Sequence, residues 1–305
     1  MIEFITSLVN QIIVYTTVYT MVSLGILIAG RTGIFNVSGE GVMLASASAG
    51  FITAFLTDSW FFGFLIGACM GIFLGFILIF IHETFKINQF ILGISLVILG
   101  SGISDLLYKL IMGVRLSAPI APNIPSINIP VLSTLPVVSG FLNHDVIVYF
   151  MYIVTLLCWW FFYKTKHGLE TRAIGENPRS ADVIGVNVVL RRYIATIIGS
   201  SFIGIAGAYL PIVITETYSP DIAAGRGFMA IGIAIFASWK PHRAILGGFI
   251  FATIEVASFQ LQIASETIPY QFFLMLPFIS VLIVMMIFKK YVEFPASVGK
   301  PYSRE

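Results

Sequence analysis

Nine stretches of the chain are apolar and almost free of charge: about 9–29, 41–57, 61–81, 90–112, 145–164, 193–214, 228–239, 244–264 and 270–288. A helix that crosses a bilayer needs about 20 mostly apolar residues, and most of these stretches have that length. Two do not. The 228–239 stretch is short, and 41–57 is approached through Gly33, Gly39 and Gly41. Both predict broken or re-entrant helices, because non-helical backbone survives at membrane depth only where protein or a water-filled cavity receives it. The expected fold is all-α and polytopic, with about nine transmembrane helices and a range of eight to ten.

Composition sharpens this. The chain is 58% hydrophobic, and only 10% of its 305 residues are charged, against about a quarter in a soluble domain. That excludes a soluble enzyme, a disordered chain and a nucleic-acid binder. The first residues carry Glu3 and no basic cluster, so the first apolar run is read as a retained span rather than a cleaved signal. Cys69 and Cys158 both sit inside apolar runs and imply neither a disulfide nor a metal site.

The net charge of +2 conceals an asymmetry. With nine spans, 14 of the 17 Lys and Arg residues fall on one side, leaving Lys109, Arg115 and Arg226 on the other. The basic side is expected to be cytoplasmic, with the N-terminus outside and the C-terminus inside. Two connections are long. Residues 113–144 hold five prolines and read as an extended external loop; residues 165–192 are basic and cytoplasmic, as is the tail 289–305. Everything else is short, so residues 1–305 form one membrane domain. Gly67, Gly71 and Gly75 recur at every fourth position, a stripe that lets helix backbones approach closely in lipid.

Covalent chemistry finds little support. There is no phosphate-binding G-x-x-x-x-G-K-[ST], no G-x-S-x-G, and no second histidine placed to make His82-Glu83 a zinc-binding helix. The basic loop is more informative. Asn177 before Pro178 reads as a helix start and Gly185 as its stop, enclosing a helix of only two turns, 178–184. So short a helix needs another surface to hold it. Ala181, Val183 and Ile184 could enter a groove there, with Arg179 and Asp182 at its rim; an ordinary loop on the membrane surface is the alternative.

The segment RAIGENPRSADVIGVNV (172–188) resembles the coupling segment of permease subunits of bacterial ABC importers, in the branch that handles simple sugars, nucleosides and branched-chain amino acids. The 31–50 segment, AGAYLPI (206–212), 225–248 and PASVGKPYSRE (295–305) resemble further parts of that branch in the right order, the 225–228 start and the tail favouring its nucleoside members. The resemblance implies a type II importer permease in the bacterial inner membrane. It pairs with a second permease, an ATPase that holds the ATP and magnesium, and an extracytoplasmic substrate-binding lipoprotein; this chain itself binds no cofactor. It also implies that Gly175, Glu176, Asn177, Pro178, Ala181, Asp182 and Gly185 seat in the ATPase, although the acidic residue often found directly before the alanine is missing at Ser180.

Glu216, Asp221 and Arg226 offer charges for docking the binding protein. Phe35, Asn36, Ser38, Glu40 and Phe228 are candidates for the translocation path, since polar groups in spans usually face the interior. Asn36 and Glu40 equally suit the capping of broken helix ends. The expected cargo is a nucleoside, with a simple sugar as the alternative. Competing classes are a secondary transporter coupled through Glu40 or Glu255, and an integral-membrane enzyme.

Overall fold

The computed structural model describes residues 2–113, 119–127, 139–264, 269–288 and 294–302. Eight of the helices among them are long and apolar enough to cross a membrane. They are α1 (Ile2–Gly30), α2 (Gly39–Thr57), α3 (Trp60–Phe85), α4 (Gln89–Met112), α6 (Val146–Lys164), α9 (Val188–Tyr209), α11 (Pro241–Ala264) and α12 (Tyr270–Phe288). Between the long helices lie a short α5 (Ser139–Leu142), α7 (Lys166–Glu176), α8 (Pro178–Val183) and α10 (Arg226–Phe236). The only strands among the described residues, β1 (Ser126–Ile127) and β2 (His144–Asp145), pair antiparallel within the long proline-rich connection. Of that connection, 114–118 and 128–138, with Arg115, lie outside the described residues, as do Lys289, Lys290 and Arg304 of the tail.

The seventh apolar stretch is not a full crossing helix. α10 has 11 residues, about 16 Å of helix against a hydrocarbon core of about 30 Å. The connection that leads into it, 215–225, is non-helical. α9 also ends irregularly, its last turn widening into a π-helical one, Leu210–Ile214. Pro211 lacks the N–H that would continue the α-helical ladder, and Thr215 N donates five residues back to Leu210 O at 3.0 Å.

The core forms where α1, α2, α3 and α9 cross, and small residues set the separations. Gly67, Gly71 and Gly75 of α3 lie against Ala208, Gly204, Ser200 and Thr196 of α9. A methyl group at Gly67 would stand 2.7 Å from Ala208 Cβ, and one at Gly71 3.0 Å from Gly204 Cα. On α9, Gly207 faces Met43 of α2 and Gly199 faces Gly25 of α1. Backbones this close replace the hydrophobic drive that lipid removes with dispersion contacts. By contrast few residues of α12 are buried, and broad faces of α3, α4 and α6 carry bare phenylalanine, isoleucine and leucine.

Substituting Gly71 with leucine should overpack this crossing by about 1–3 kcal/mol. A lower melting midpoint of the detergent-solubilised protein is the expected reading; an unchanged midpoint would show that the α3–α9 approach is not tight.

Candidate functional site: a mid-membrane junction and a basic platform

Two places gather the polar side chains of the long helices. The first is inside the bundle. After α1 the chain turns at Arg31 and runs back into the bundle as 32–38 before α2 begins at Gly39. Gly41 packs on Leu96, Val97 and Gly100 of α4, about 10–16 Å along that helix from its first residue. The N-terminus of α2 is therefore buried at membrane depth. There it meets the N-terminus of α10: Glu40 accepts from Gly225 N at 2.7 Å (Oε1) and from Gly227 N at 2.6 Å (Oε2). A carboxylate at a helix N-terminus satisfies amides that have no partner in their own helix and sits favourably in the helix dipole. Gly225 adopts φ +81°, and a Cβ there would stand 2.8 Å from the Phe278 ring, so the turn into α10 requires glycine.

Beside this contact, Arg226 reaches Glu255 Oε1 of α11 through Nε at 3.0 Å and Nη2 at 2.7 Å. Tyr19 of α1 donates to Glu255 Oε2 at 2.6 Å, and the guanidinium lies 5.5 Å from the Tyr15 ring centroid. Arg226 also donates to Ile222 O at 3.0 Å. It was expected at the outer surface among docking charges; it is instead an interior cation. Glu216 and Asp221, the other two, are exposed on the 215–225 segment.

Asn36 Oδ1 accepts from Ser38 N at 3.1 Å and from Ser38 Oγ at 2.6 Å, while Asn36 Nδ2 donates to Ser200 Oγ at 3.2 Å. Phe35 N donates to Gln89 Oε1 at 2.6 Å. Phe35, Asn36, Ser38 and Glu40 are all buried by the chain's own helices and face no open surface; of the four, Glu40 closes a helix end, that of α10. Phe228, 46% exposed on α10, does face outward.

The second place is the basic end. Fully buried Arg192 joins α9 to the start of the re-entrant segment and to α3, through Thr32 O at 3.1 Å and Glu83 Oε1 at 2.9 Å. Lys86 reaches the other oxygen of Glu83 at 2.9 Å. Arg31 Nε donates to Trp239 O at 2.7 Å, tying α1 to the C-terminus of α10, and Gly30 leaves room for the buried Trp239 ring. On this end stand α7 and α8. Sequence reasoning found only α8; α7 was missed, although Thr165 caps it by accepting from Gly168 N at 3.0 Å. Glu170 of α7 pairs with His167 and Arg191, and the hydrogen bond from His167 leads the interactions that hold its carboxyl below the usual range. That tie stays ionised at pH values where a free glutamate would take up a proton.

Asn177 caps α8 by accepting from Ser180 N at 3.1 Å, and Gly185 takes φ +87° just beyond its end. Gly175 packs against the Arg31 carbonyl and Pro295. Ala181 is not presented outward as expected: it is 1% exposed, packed with Ile174, Val188 and Tyr302. Val183 at 87% exposure and Ile184, just past the end of α8, at 75% are the open apolar side chains here, beside the exposed Arg179 and Ser180. Glu176, Asn177 and Gly185 are exposed, Pro178 and Asp182 partly so.

Removing one member of the Arg226–Glu255 pair should destabilise more than removing both. Arg226→Leu leaves a buried carboxylate without its cation, at a cost of about 3–5 kcal/mol, whereas the double change to leucine should recover much of that. Melting midpoints of the two single variants and the double variant check this; strict additivity would contradict the pairing.

Residues 8–287 match the family described as branched-chain amino acid transport system / permease component. The chain is 31% identical to the putative glucose ABC transporter permease protein TsgC13 of Haloferax volcanii, over 87% of this chain and 80% of that protein. It is 27% identical to the nucleoside ABC transporter permease protein NupC of Lactococcus lactis, over 97% and 96% of the two chains. It is likewise 27% identical to the guanosine ABC transporter permease protein NupQ of Bacillus subtilis, over 99% and 98%.

Proposed function

The chain belongs to the branched-chain amino acid transport system permease family, as an ABC transporter permease of its simple-sugar and nucleoside branch, and from that premise we propose that it forms part of an ATP-driven import pathway for nucleosides, purine nucleosides foremost. The observation that carries the cargo is the pair of relatives named for nucleoside and guanosine transport, which align with this chain over nearly the whole length of both partners. A simple sugar is the second reading, favoured by the higher identity to the relative named for glucose. An ion-coupled secondary transporter has no comparable support, and both carboxylates that could have served it are engaged within the chain.

In this reading the basic end faces the cytoplasm and carries the C-terminus. A separate ATPase subunit binds the ATP and magnesium, and its surface receives α8 through Val183 and Ile184, with Gly175 and Ala181 setting how α8 sits on the bundle. A second permease, different from this one, closes the pathway, and a substrate-binding lipoprotein docks on the opposite end near Glu216 and Asp221. The pathway runs along the open face of α10 at Phe228, where an aromatic ring can stack on a base. ATP binding and hydrolysis then bias two packings of the same helices, and cargo crosses as one gives way to the other.

The cargo test is uptake by the intact complex in liposomes. Guanosine should accumulate only with ATP inside the vesicle compartment that holds the ATPase, and glucose should not compete. Glucose uptake without guanosine uptake would favour the second reading; uptake driven by an ion gradient without ATP would overturn both. Phe228→Ala should raise the KM for guanosine by roughly tenfold, the weight of one aromatic stacking contact, with ATP hydrolysis retained; an unchanged KM would remove Phe228 from the path.

A further inference from the structure

Residues 294–302 follow the last membrane helix, yet they are built into the basic end. Ser297, 4% exposed, donates to Gly175 O from its backbone at 2.9 Å and from Oγ at 2.6 Å, and its Oγ also lies 3.1 Å from Ile174 O. Tyr302 fills the space between Ile174, Ala181 and Val188, and its hydroxyl donates to Asp182 Oδ2 at 2.8 Å. The Arg192 guanidinium stands 5.9 Å from the same ring. Gly299 N donates to Gly33 O at 3.2 Å. The Phe294 ring lies 6.0 Å from Trp239, which in turn lies 5.9 Å from Phe35. One short segment therefore touches α8, the re-entrant turn that leads to Glu40, and the C-terminus of α10.

α8 also packs on α7 and on the start of α9. Ala181 is the one buried residue of its six, and the tail helps to bury it; a helix this short does not hold its place alone. At the other side of the tail lie the 32–38 segment, which leads into α2, and the C-terminus of α10, and the N-termini of α2 and α10 meet through Glu40. Resting on the reading of α8 as the helix seated in the ATPase, we infer that segment 294–302 is the transmission element of this permease: displacement of α8 reaches the mid-membrane junction through the tail. Ser297 and Tyr302 are its positioning residues, holding α8 in register with the re-entrant turn. The coupling runs through a packed and hydrogen-bonded path with no gap from Asp182 to Trp239.

The test uses the intact complex in liposomes, with guanosine or glucose as cargo, whichever the uptake assay has identified. Tyr302→Phe and Ser297→Ala each remove a hydroxyl without removing the side chain's packing. The ATPase subunit should still co-purify and still hydrolyse ATP, while cargo moved per ATP falls about fivefold for each lost hydrogen bond. Ser297→Thr, which restores the hydroxyl, should recover the ratio. A merely structural tail would lower complex yield, uptake and hydrolysis together and leave cargo per ATP unchanged, and that result overturns the inference. Val183→Asp separates the two claims. It should release the ATPase from the complex; a Val183→Asp complex that keeps its ATPase and its ratio removes the reading of α8, and the inference falls with it.

Discussion

A helix end in the middle of a bilayer has amides that neither water nor its own helix can satisfy. Here two such ends, those of α2 and α10, lie side by side, and the carboxylate of Glu40 on one closes the amides of Gly225 and Gly227 on the other. Much of the architecture follows from permitting that contact. The approach to α2 is non-helical, and Asn36 and Ser38 satisfy each other and Ser200 there. The approach to α10 must turn sharply, so Gly225 takes a left-handed conformation beneath Phe278. The negative charge of Glu40 is tolerable because the N-termini around it are positive, and the neighbouring Arg226 is in turn held by Glu255 and Tyr19.

Close packing surrounds this break on both sides. Glycine-lined crossings lock α3 to α9 and α9 to α1 and α2, with backbones nearly in contact. α10 is packed too, with Gly227 against the Glu40 backbone, Gly232 against Val281, and Met229 and Ile233 clustered with Tyr19 and Phe251; directional bonds and Trp239 at the basic end add to that. In the proposed reading, the junction of α2 and α10 lies at the depth where a pathway opens and closes, and the other end of α10 lies beside the platform of α7, α8 and the tail.

Much of the frame was legible in the sequence because it depends on local pattern. Apolar runs marked the long helices, the four-residue glycine period marked the α3 crossing, and Asn177-Pro178 with Gly185 marked α8 almost to its ends. The shortness of 228–239 already signalled a broken helix. What sequence could not supply was pairing at a distance. Arg226 borders an apolar run, and by hydropathy a border arginine reads as a surface residue; only its approach to Glu255, on another helix, brings it inside. Glu40 and Gly225 are separated by most of the chain. Ala181 looked like part of a docking face because nothing local announces that Tyr302 covers it. α7 was overlooked because its composition is that of a polar loop, although the Thr165 cap was available as a signal.

The dependence of the fold on Glu40 is open to direct measurement by amide hydrogen exchange at Gly225 and Gly227 in the intact protein. Backbone outside a hydrogen-bonded element normally exchanges quickly, and the first amides of a helix are among its least protected. If the carboxylate closes these two donors inside the membrane, both should exchange as slowly as the interior of α10, and Glu40→Ala should release them while the α3–α9 crossing stays protected. Exchange at Gly225 and Gly227 as fast as at the exposed Ser219 and Asp221, in the unaltered protein, would contradict the account at its centre.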